Sequence, residues 1–321
     1  MGDITTRAYV DGDAPAVAAL LNAIEVHGGG HPYMTADEVR AVMNNVVRDH
    51  TEDSRVLYAD AELVAFAGVP TPPDGGFRVD LAGGVDPGWR GRGIGRDLLD
   101  WQLRRAAEIH AAVAPERDWE IHTGAADGDA DAGRLYAHFG FAPIRYWFDM
   151  RAPTTGVPDV PVPEGLAIVG YRPGRDSQLH AAHTEAFADH WGYQARDEKE
   201  WLGLTVGSRD FLPGLSRLAY DGDDVAGYVL TYASPEPGRA YVGHVGVRRP
   251  WRRRGLAAAM LADVLTACAG AGYEAVSLGV DAESPTGAVG VYERVGFSVS
   301  SRAVTFRRAL PALSPAARPP S

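Results

Sequence analysis

"WRGRGIGRDL" occupies residues 89–98, and "WRRRGLAAAM" occupies residues 251–260. Each phrase is a tryptophan, then arginines broken by glycine, then the start of an apolar helix. Superposing them pairs Val85 with Val247, Arg90 with Arg252, Gly93 with Gly255 and Gly95 with Ala257. A second correspondence lies downstream. "RLYAHFGFAPI" carries Tyr136 and Gly140, and "GVYERVGFSVS" carries Tyr292 and Gly296. The first blocks are 162 residues apart and the second 156, a drift that a change in loop length produces. Two ordered blocks in each half mean two copies of one domain.

The surroundings of the blocks agree. "RVLYADAELVAFAGV" and "LSRLAYDGDDVAGYVLTYA" read as hairpins. Helical patterns precede them, near 14–25 and 36–48 in the first half and near 176–188 and 197–206 in the second. A strand then leads into each Arg-Gly phrase, and a helix comes after it. Next come another strand, a short helix holding the tyrosine, and final strands. The expected fold class is α/β, a mixed sheet with helices, made twice. The copies are placed at residues 1–150 and 166–310. A proline-rich linker lies at 151–165 and a disordered tail at 311–321.

The bulk properties fit that division. A chain of 321 residues, 45% hydrophobic and 23% charged, supports two domains with ordinary cores. It lacks an uncharged apolar run of about 18 residues, and its acidic start lacks a signal-type apolar segment. A cytoplasmic location is expected. A net charge of −11 argues against nucleic acid or anionic membrane as partner. Cys268 is the only cysteine, which excludes an intramolecular disulfide and a cysteine metal cluster. It falls in an apolar helix pattern and reads as a packing residue. His27 and His31 flank glycines without an evident third ligand, so no metal is expected.

The Arg-Gly phrase has a physical reading. A glycine-rich turn lets backbone approach a ligand. The first amides of the following helix have no intrahelical acceptor and sit at the positive end of the helix dipole. That is an anion site suited to a diphosphate. Arg90 and Arg92, and Arg252, Arg253 and Arg254, add charge. A phosphate loop of the GxxxxGK[ST] kind needs a lysine, and Lys199, the only one, lies far off in sequence. Gly91, Gly93 and Gly95 make GxGxG, not the GxGxxG of dinucleotide sites.

What remains resembles the [Q/R]-x-x-G-x-[G/A] signature of the GNAT superfamily of acetyl-CoA-dependent N-acyltransferases. Arg90-Gly91-Arg92-Gly93-Ile94-Gly95 and Arg252-Arg253-Arg254-Gly255-Leu256-Ala257 both match it. The resemblance covers both halves. It implies acetyl-CoA as cofactor, its diphosphate on these loop residues. It implies a pantetheine arm running along Val85, or along Val245 and Val247, between strands that splay apart. It also implies a tyrosine near the sulfur, Tyr292 or its counterpart Tyr136, to protonate the departing thiolate. A backbone N–H of the central strand would polarise the carbonyl.

The tandem arrangement resembles mycothiol synthase and its relatives. This implies a catalytic C-terminal copy and a degenerate N-terminal copy still able to hold acetyl-CoA. "FADHWGYQARDEKEW", residues 187–201, lies where the family builds its acceptor wall. Asp189, His190, Trp191 and Tyr193 offer a seat for a cationic amine. His27, His31 and Tyr33 are the first half's counterpart. The acidic residue that these relatives carry on the central strand is Tyr241 here, and Gly243 is not acidic either. His244 is the nearest ionisable group and a candidate base, its side chain facing either the acceptor or the core. Asp80 is the comparable carboxylate of the first half.

The expected function is transfer of acetyl from acetyl-CoA to a small-molecule amine. Tyr292 and His244 would be catalytic, with Asp189, His190, Trp191 and Tyr241 around the acceptor. A non-catalytic CoA-binding regulator and a protein-lysine acetyltransferase are the alternatives. A monomer is expected, because tandem copies satisfy within one chain the pairing that single-domain relatives make as dimers.

Overall fold

A computed structural model describes residues 4–73, 75–284 and 287–313. The expected tail therefore lies outside the described residues from 314 onward. The chain forms two compact units. Of the described residues, one unit holds those up to 145 and from 303 onward, and the other those from 146 to 302.

The first unit runs β1 (Ile4–Arg7), α1 (Ala14–His27), α2 (Ala36–Val46), α3 (His50–Asp53), β2 (Ser54–Ala59), β3 (Glu62–Gly68), β4 (Arg78–Asp80), β5 (Ala82–Val85), α4 (Ile94–Val113), β6 (Trp119–Ala126) and α5 (Ala130–His138). Strand β7 (Ala142–Pro153) then carries the chain into the second unit. There the order is β8 (Ala167–Gly170), α6 (Asp176–Phe187), α7 (Glu198–Leu204), β9 (Arg217–Asp221), β10 (Asp224–Ala233), β11 (Arg239–Val247), α8 (Leu256–Gly270), β12 (Ala275–Asp281) and α9 (Ala288–Arg294). Strand β13 (Ser298–Leu310) returns to the first unit, where residues 303–310 pair with β6.

The compact units thus differ from a cut at 150 and 166. Arg151–Pro153 complete β7, and Tyr146–Pro153 belong with the second unit. Residues 147–153 pair antiparallel with β12. Alternation along β7 explains why. Met150 and Ala152 are buried in the second unit's core, while Trp147 and Asp149 lie on the other face.

In the second unit the strands pair in the order β7-β12-β11-β10-β9-β8. The β11–β12 pairing is parallel and the others antiparallel. Leu256, Met260, Leu261, Val264, Leu265 and Cys268 of α8 are buried against one face, with Tyr292 of α9. Such a helix is apolar nearly all round because neighbours cover it on most sides. On the opposite face, α6 and α7 bury Leu179, Ala182 and Trp201 against Leu218, Tyr228, Leu230 and Tyr232. The β9–β10 hairpin turns at Gly222, whose φ of 57° is in the left-handed region. The β2–β3 hairpin turns at Asp60 in the same way, with φ 52°.

One irregularity in β11 decides which of its side chains reach the α6–α7 face. His244 pairs with Leu230 of β10, but Val242 pairs with Thr231. Gly243 is the extra residue, a β-bulge. Ala240 and Val242 face the α8 core before it, and Val245 and Val247 face the same core after it. The bulge leaves both Gly243 and His244 on the α6–α7 face. Glycine is required along this stretch for a packing reason. A Cβ at 243 would come within 2.7 Å of the Tyr232 ring, and one at 246 within 2.3 Å of the Tyr228 ring. Replacing Gly246 by alanine forces the buried Tyr228 ring to move, so Gly246→Ala should destabilise the protein by about 1–3 kcal/mol. Urea unfolding of the variant beside the parent checks this.

Candidate functional site

Each copy opens a slot in its sheet just before the Arg-Gly loop. In the second unit the parallel pairing of β11 with β12 runs from Arg239↔Ala275 to Val242↔Leu278 and stops. Strand β11 goes on to Val247, held from its other side by β10. In the first unit β4 pairs with β6, whereas β5 pairs with β3. In both copies the backbone edge of the last residues, up to Val247 or Val85, is left facing the gap.

The slot leads to a helix start. After β11 a 3-10 turn spans Arg249–Trp251, and α8 begins behind Gly255, whose φ is 87°. After β5 a 3-10 turn spans Pro87–Trp89, and α4 begins behind Gly93, whose φ is 89°. Two residues earlier Gly91 has φ 75° and Arg253 has φ 60°. Left-handed residues alternating with ordinary ones turn successive N–H groups into a concave anion-binding nest. Arginine holds at 253 a conformation that costs a side-chain-bearing residue about 1 kcal/mol or more.

The arginines differ in what they touch. Arg252 is half-buried and held by protein. Its Nε donates to Val247 O at 3.1 Å, one Nη to Ala186 O at 3.0 Å and the other to Asp189 at 3.1 Å. Arg254 donates to Glu164 O at 3.0 Å, and Arg253 is exposed. Arg90 pairs with Asp129 at 3.0 Å, the residue that caps α5. Arg92 lies over the Trp89 ring at 4.3 Å. Leu256 and Ile94 are buried beneath the loops. Gly95 packs against Leu135 and Val85, and Ala257 takes its place in the second copy.

Beyond the slot, on the α6–α7 face of the second unit, rings gather around His244. The rings of His183, Tyr232, Phe187 and Trp201 lie 5.7, 6.0, 6.4 and 6.5 Å from it. Tyr232 Oη is 3.2 Å from His244 Nδ1, and Tyr228 Oη is 2.7 Å from His183 Nδ1. Burial among these rings pushes the His244 imidazole down to about 4. His183 falls to about 3, from burial first and then from the neighbouring imidazoles. Both are neutral at pH 7, so each keeps one nitrogen lone pair. The strand pattern left His244 facing either side, and the bulge settles that it faces the rings.

His190 and Trp191 join the same wall through Trp147, whose ring lies 6.2 Å from each and stacks on His190. Asp189, read from sequence as part of the acceptor seat, is placed elsewhere. It is exposed and ion-paired with Arg249 at 2.6 Å and Arg252 at 3.1 Å. It thereby ties the end of α6 to the Arg-Gly loop. Tyr241 reaches across the sheet towards Gly279, its hydroxyl 3.4 Å from where a Cβ there would sit. Tyr292 packs on Phe297, and burial, then Tyr241, raise its hydroxyl to about 12. Among the described residues that hydroxyl has no hydrogen-bond partner. The sequence reading missed His183, Tyr228, Tyr232, Trp147 and Asp149, which come from elements on either side of the motif.

The first unit has the loop but not this wall. Ala82 stands where the 162-residue offset would place His244, and Leu81 where it would place Gly243. Ile24 closes over Gly84, 2.7 Å from where a Cβ would be. The Tyr136 hydroxyl is engaged, donating to Gly124 O at 3.2 Å. Asp80 is exposed and paired with Arg78. His27 ends α1, and His31 and Tyr33 lie between it and α2. Among the described residues no group of three or more metal-ligating side chains comes together, and no helix is long and apolar enough to cross a membrane.

Known proteins match this chain along most of its length. Residues 177–297 match the acetyltransferase (GNAT) family, and residues 52–143 match an acetyltransferase (GNAT) domain. A mycothiol acetyltransferase of Salinispora tropica is 33% identical over 267 residues, 78% of this chain and 79% of that protein. One from Salinispora arenicola is 30% identical over 92% of this chain and 94% of its own. The crystal structure of a GCN5-related N-acetyltransferase from Sphaerobacter thermophilus superposes with a TM-score of 0.77 at 30% identity, covering 97% of both chains. A tandem GNAT protein from the clavulanic acid biosynthesis pathway shares the fold, with a TM-score of 0.68 over 99% of this chain and all of that one at 18% identity. The split sheet, the glycine-capped helix and the repeated loop are accordingly those of two GNAT domains in tandem, and the chain belongs to the GNAT family of N-acetyltransferases.

Proposed function

We propose that the second unit transfers acetyl from acetyl-CoA to the amine of a small molecule, and that the first unit keeps the loop without the chemistry. The observation that carries this is the coincidence, in the second unit only, of the slot, the bulge and a neutral imidazole turned by the bulge toward the acceptor face. The residues present fit an acyl-CoA. A diphosphate suits the concave amides ahead of α8, and an extended arm suits the backbone edge of residues 243–247. Gly255, Leu256 and Ala257 would lie under the diphosphate, with Arg253 beside it and Arg252 holding the loop. Val245 and Val247 would line the arm. The cofactor supplies an acetyl thioester.

The chain's own groups then have defined tasks. His244 accepts the proton that the acceptor nitrogen loses as its bond to the acetyl carbon forms. A backbone N–H of the β11 edge polarises the acetyl carbonyl. Tyr292 gives its proton to the sulfur as the carbon–sulfur bond breaks, and regains one from solvent. A hydroxyl raised to about 12 is fully protonated at neutral pH and suited to that role. The mycothiol acetyltransferase relatives point to a polar thiol-bearing amine as one acceptor to try. The ring wall favours an amine presented beside flat or apolar groups.

Three measurements test the reading. Calorimetric titration with acetyl-CoA should show at least a tenfold loss in Arg252→Glu, which both breaks the brace to Asp189 and Ala186 and puts a negative charge at the loop. Arg90→Glu should leave the second unit's binding intact. If only Arg90→Glu abolishes binding, the working copy is the first. Tyr292→Phe should keep acetyl-CoA affinity while lowering kcat by about 10–100-fold.

The third measurement concerns pH. An unfolded imidazole takes its proton near 6.5, and the native His244 only near 4. Between these values the unfolded chain binds more protons, so this group's contribution to stability is present above pH 6.5 and is lost as pH falls toward 4. The fall in unfolding free energy across that window should be shallower in His244→Gln, with His183 supplying part of what remains.

A further inference from the structure

Resting on the proposed role of the second unit, we propose that Asp149 is the residue that receives the positive charge of the acceptor amine. Strand β11, Arg239–Val247, carries no carboxylate. The sheet supplies one from two strands away. Asp149 of β7 pairs in register with Gly279 of β12. Its Oδ1 lies 3.9 Å from where a Cβ at 279 would begin, and the Tyr241 hydroxyl lies 3.4 Å from the same point. The missing side chain at 279 leaves a recess with a carboxylate on one wall and a phenol hydroxyl on the other.

The carboxylate is held for this use. Ser301 Oγ donates to Asp149 Oδ2 at 2.7 Å, and Ser300 Oγ donates to the Asp149 backbone carbonyl at 3.1 Å. The Ser301 bond holds Oδ2 and leaves Oδ1 toward the recess. Among the described residues no arginine or lysine pairs with this side chain, in contrast to Asp189 and Glu185, which are bound by loop arginines. Trp147, two residues along β7 on the same face, stacks on His190 and contacts Trp191. Aromatic faces beside a carboxylate recognise an ammonium ion through charge and ring quadrupole together.

The position is also right for the reaction. In the parallel register Val242 sits beside Leu278, so Gly279 is level with the bulge at Gly243. This is the level at which β11 and β12 part and at which His244 turns onto the face. Tyr241 links the recess to Tyr292, whose ionisation it disfavours. The acceptor is held above Gly279 as its ammonium, gives one proton to solvent to free the lone pair, and loses the second to His244 as the nitrogen bonds to the acetyl carbon. The acceptor class this selects is a cationic amine, in preference to a neutral hydroxyl or an anion.

The test uses two CoA thioethers as probes on the full chain, S-(3-aminopropyl)-CoA and S-(3-hydroxypropyl)-CoA. Their arms match in length and differ in charge. Calorimetry on the parent should show the aminopropyl probe binding about tenfold more tightly, the scale of one charge-assisted hydrogen bond. Asp149→Asn should erase that preference while leaving the affinity for the hydroxypropyl probe unchanged. Gly279→Ala, which fills the recess, should erase it as well. Equal affinity of the parent for the two probes, or a preference that survives Asp149→Asn, overturns the proposal. Failure of the parent to bind either probe overturns the acyl-CoA reading itself.

Discussion

One extra residue in one strand organises this site. A regular strand would carry Val242 and His244 on the same face, and the imidazole would enter the apolar core under α8. The bulge at Gly243 shifts the alternation by one. His244 then joins the rings of α6 and α7, and Val245 and Val247 return to the core. The bulge also falls where β11 leaves β12, so the same local event releases the backbone edge that lines the slot. Two glycines make it sterically possible, because Tyr228 and Tyr232 lie directly over positions 246 and 243. Those tyrosines in turn orient His183 and His244 through their hydroxyls.

A second set of contacts ties the two ends of the site together. Arg248, Arg249 and Arg252, just past β11, bind Glu185, Ala186 and Asp189 at the end of α6. The segment carrying His190 and Trp191 starts there. Exposed ion pairs of this kind are individually weak. Their joint effect here is geometric. Arg252 makes three bonds from one planar fork, which positions the loop and the start of the ring wall relative to each other. The arginine that the motif led one to assign to diphosphate alone is thus also a structural brace.

The two copies show how much of a motif is scaffold and how much is chemistry. Both keep the left-handed glycine before the helix and both keep a split sheet. The first copy opens its split by breaking the strand between β4 and β5, with Ala82 in place of a histidine, and its tyrosine hydroxyl is bound to Gly124. The fold persists there because the turn and the helix start depend on backbone. The ring wall depends on particular side chains, and at the position matching His244 the first copy has Ala82.

The sequence by itself determined the repeat, the strand–loop–helix order, the glycine-bearing loop and the family, because these rest on local pattern: glycine where φ must be positive, apolar residues at helical or strand period, and spacing shared between halves of one chain. It also singled out His190, Trp191, Tyr241, His244 and Tyr292 as candidates. Only the tertiary structure decided which way His244 faces, since one inserted residue reverses a strand's alternation and no residue type announces it. It decided that Asp189 serves the loop, because ion pairing depends on which element lies opposite. And it brought Trp147 and Asp149, which stand before the linker in the chain, into the second unit, because strand pairing joins residues more than 100 positions apart.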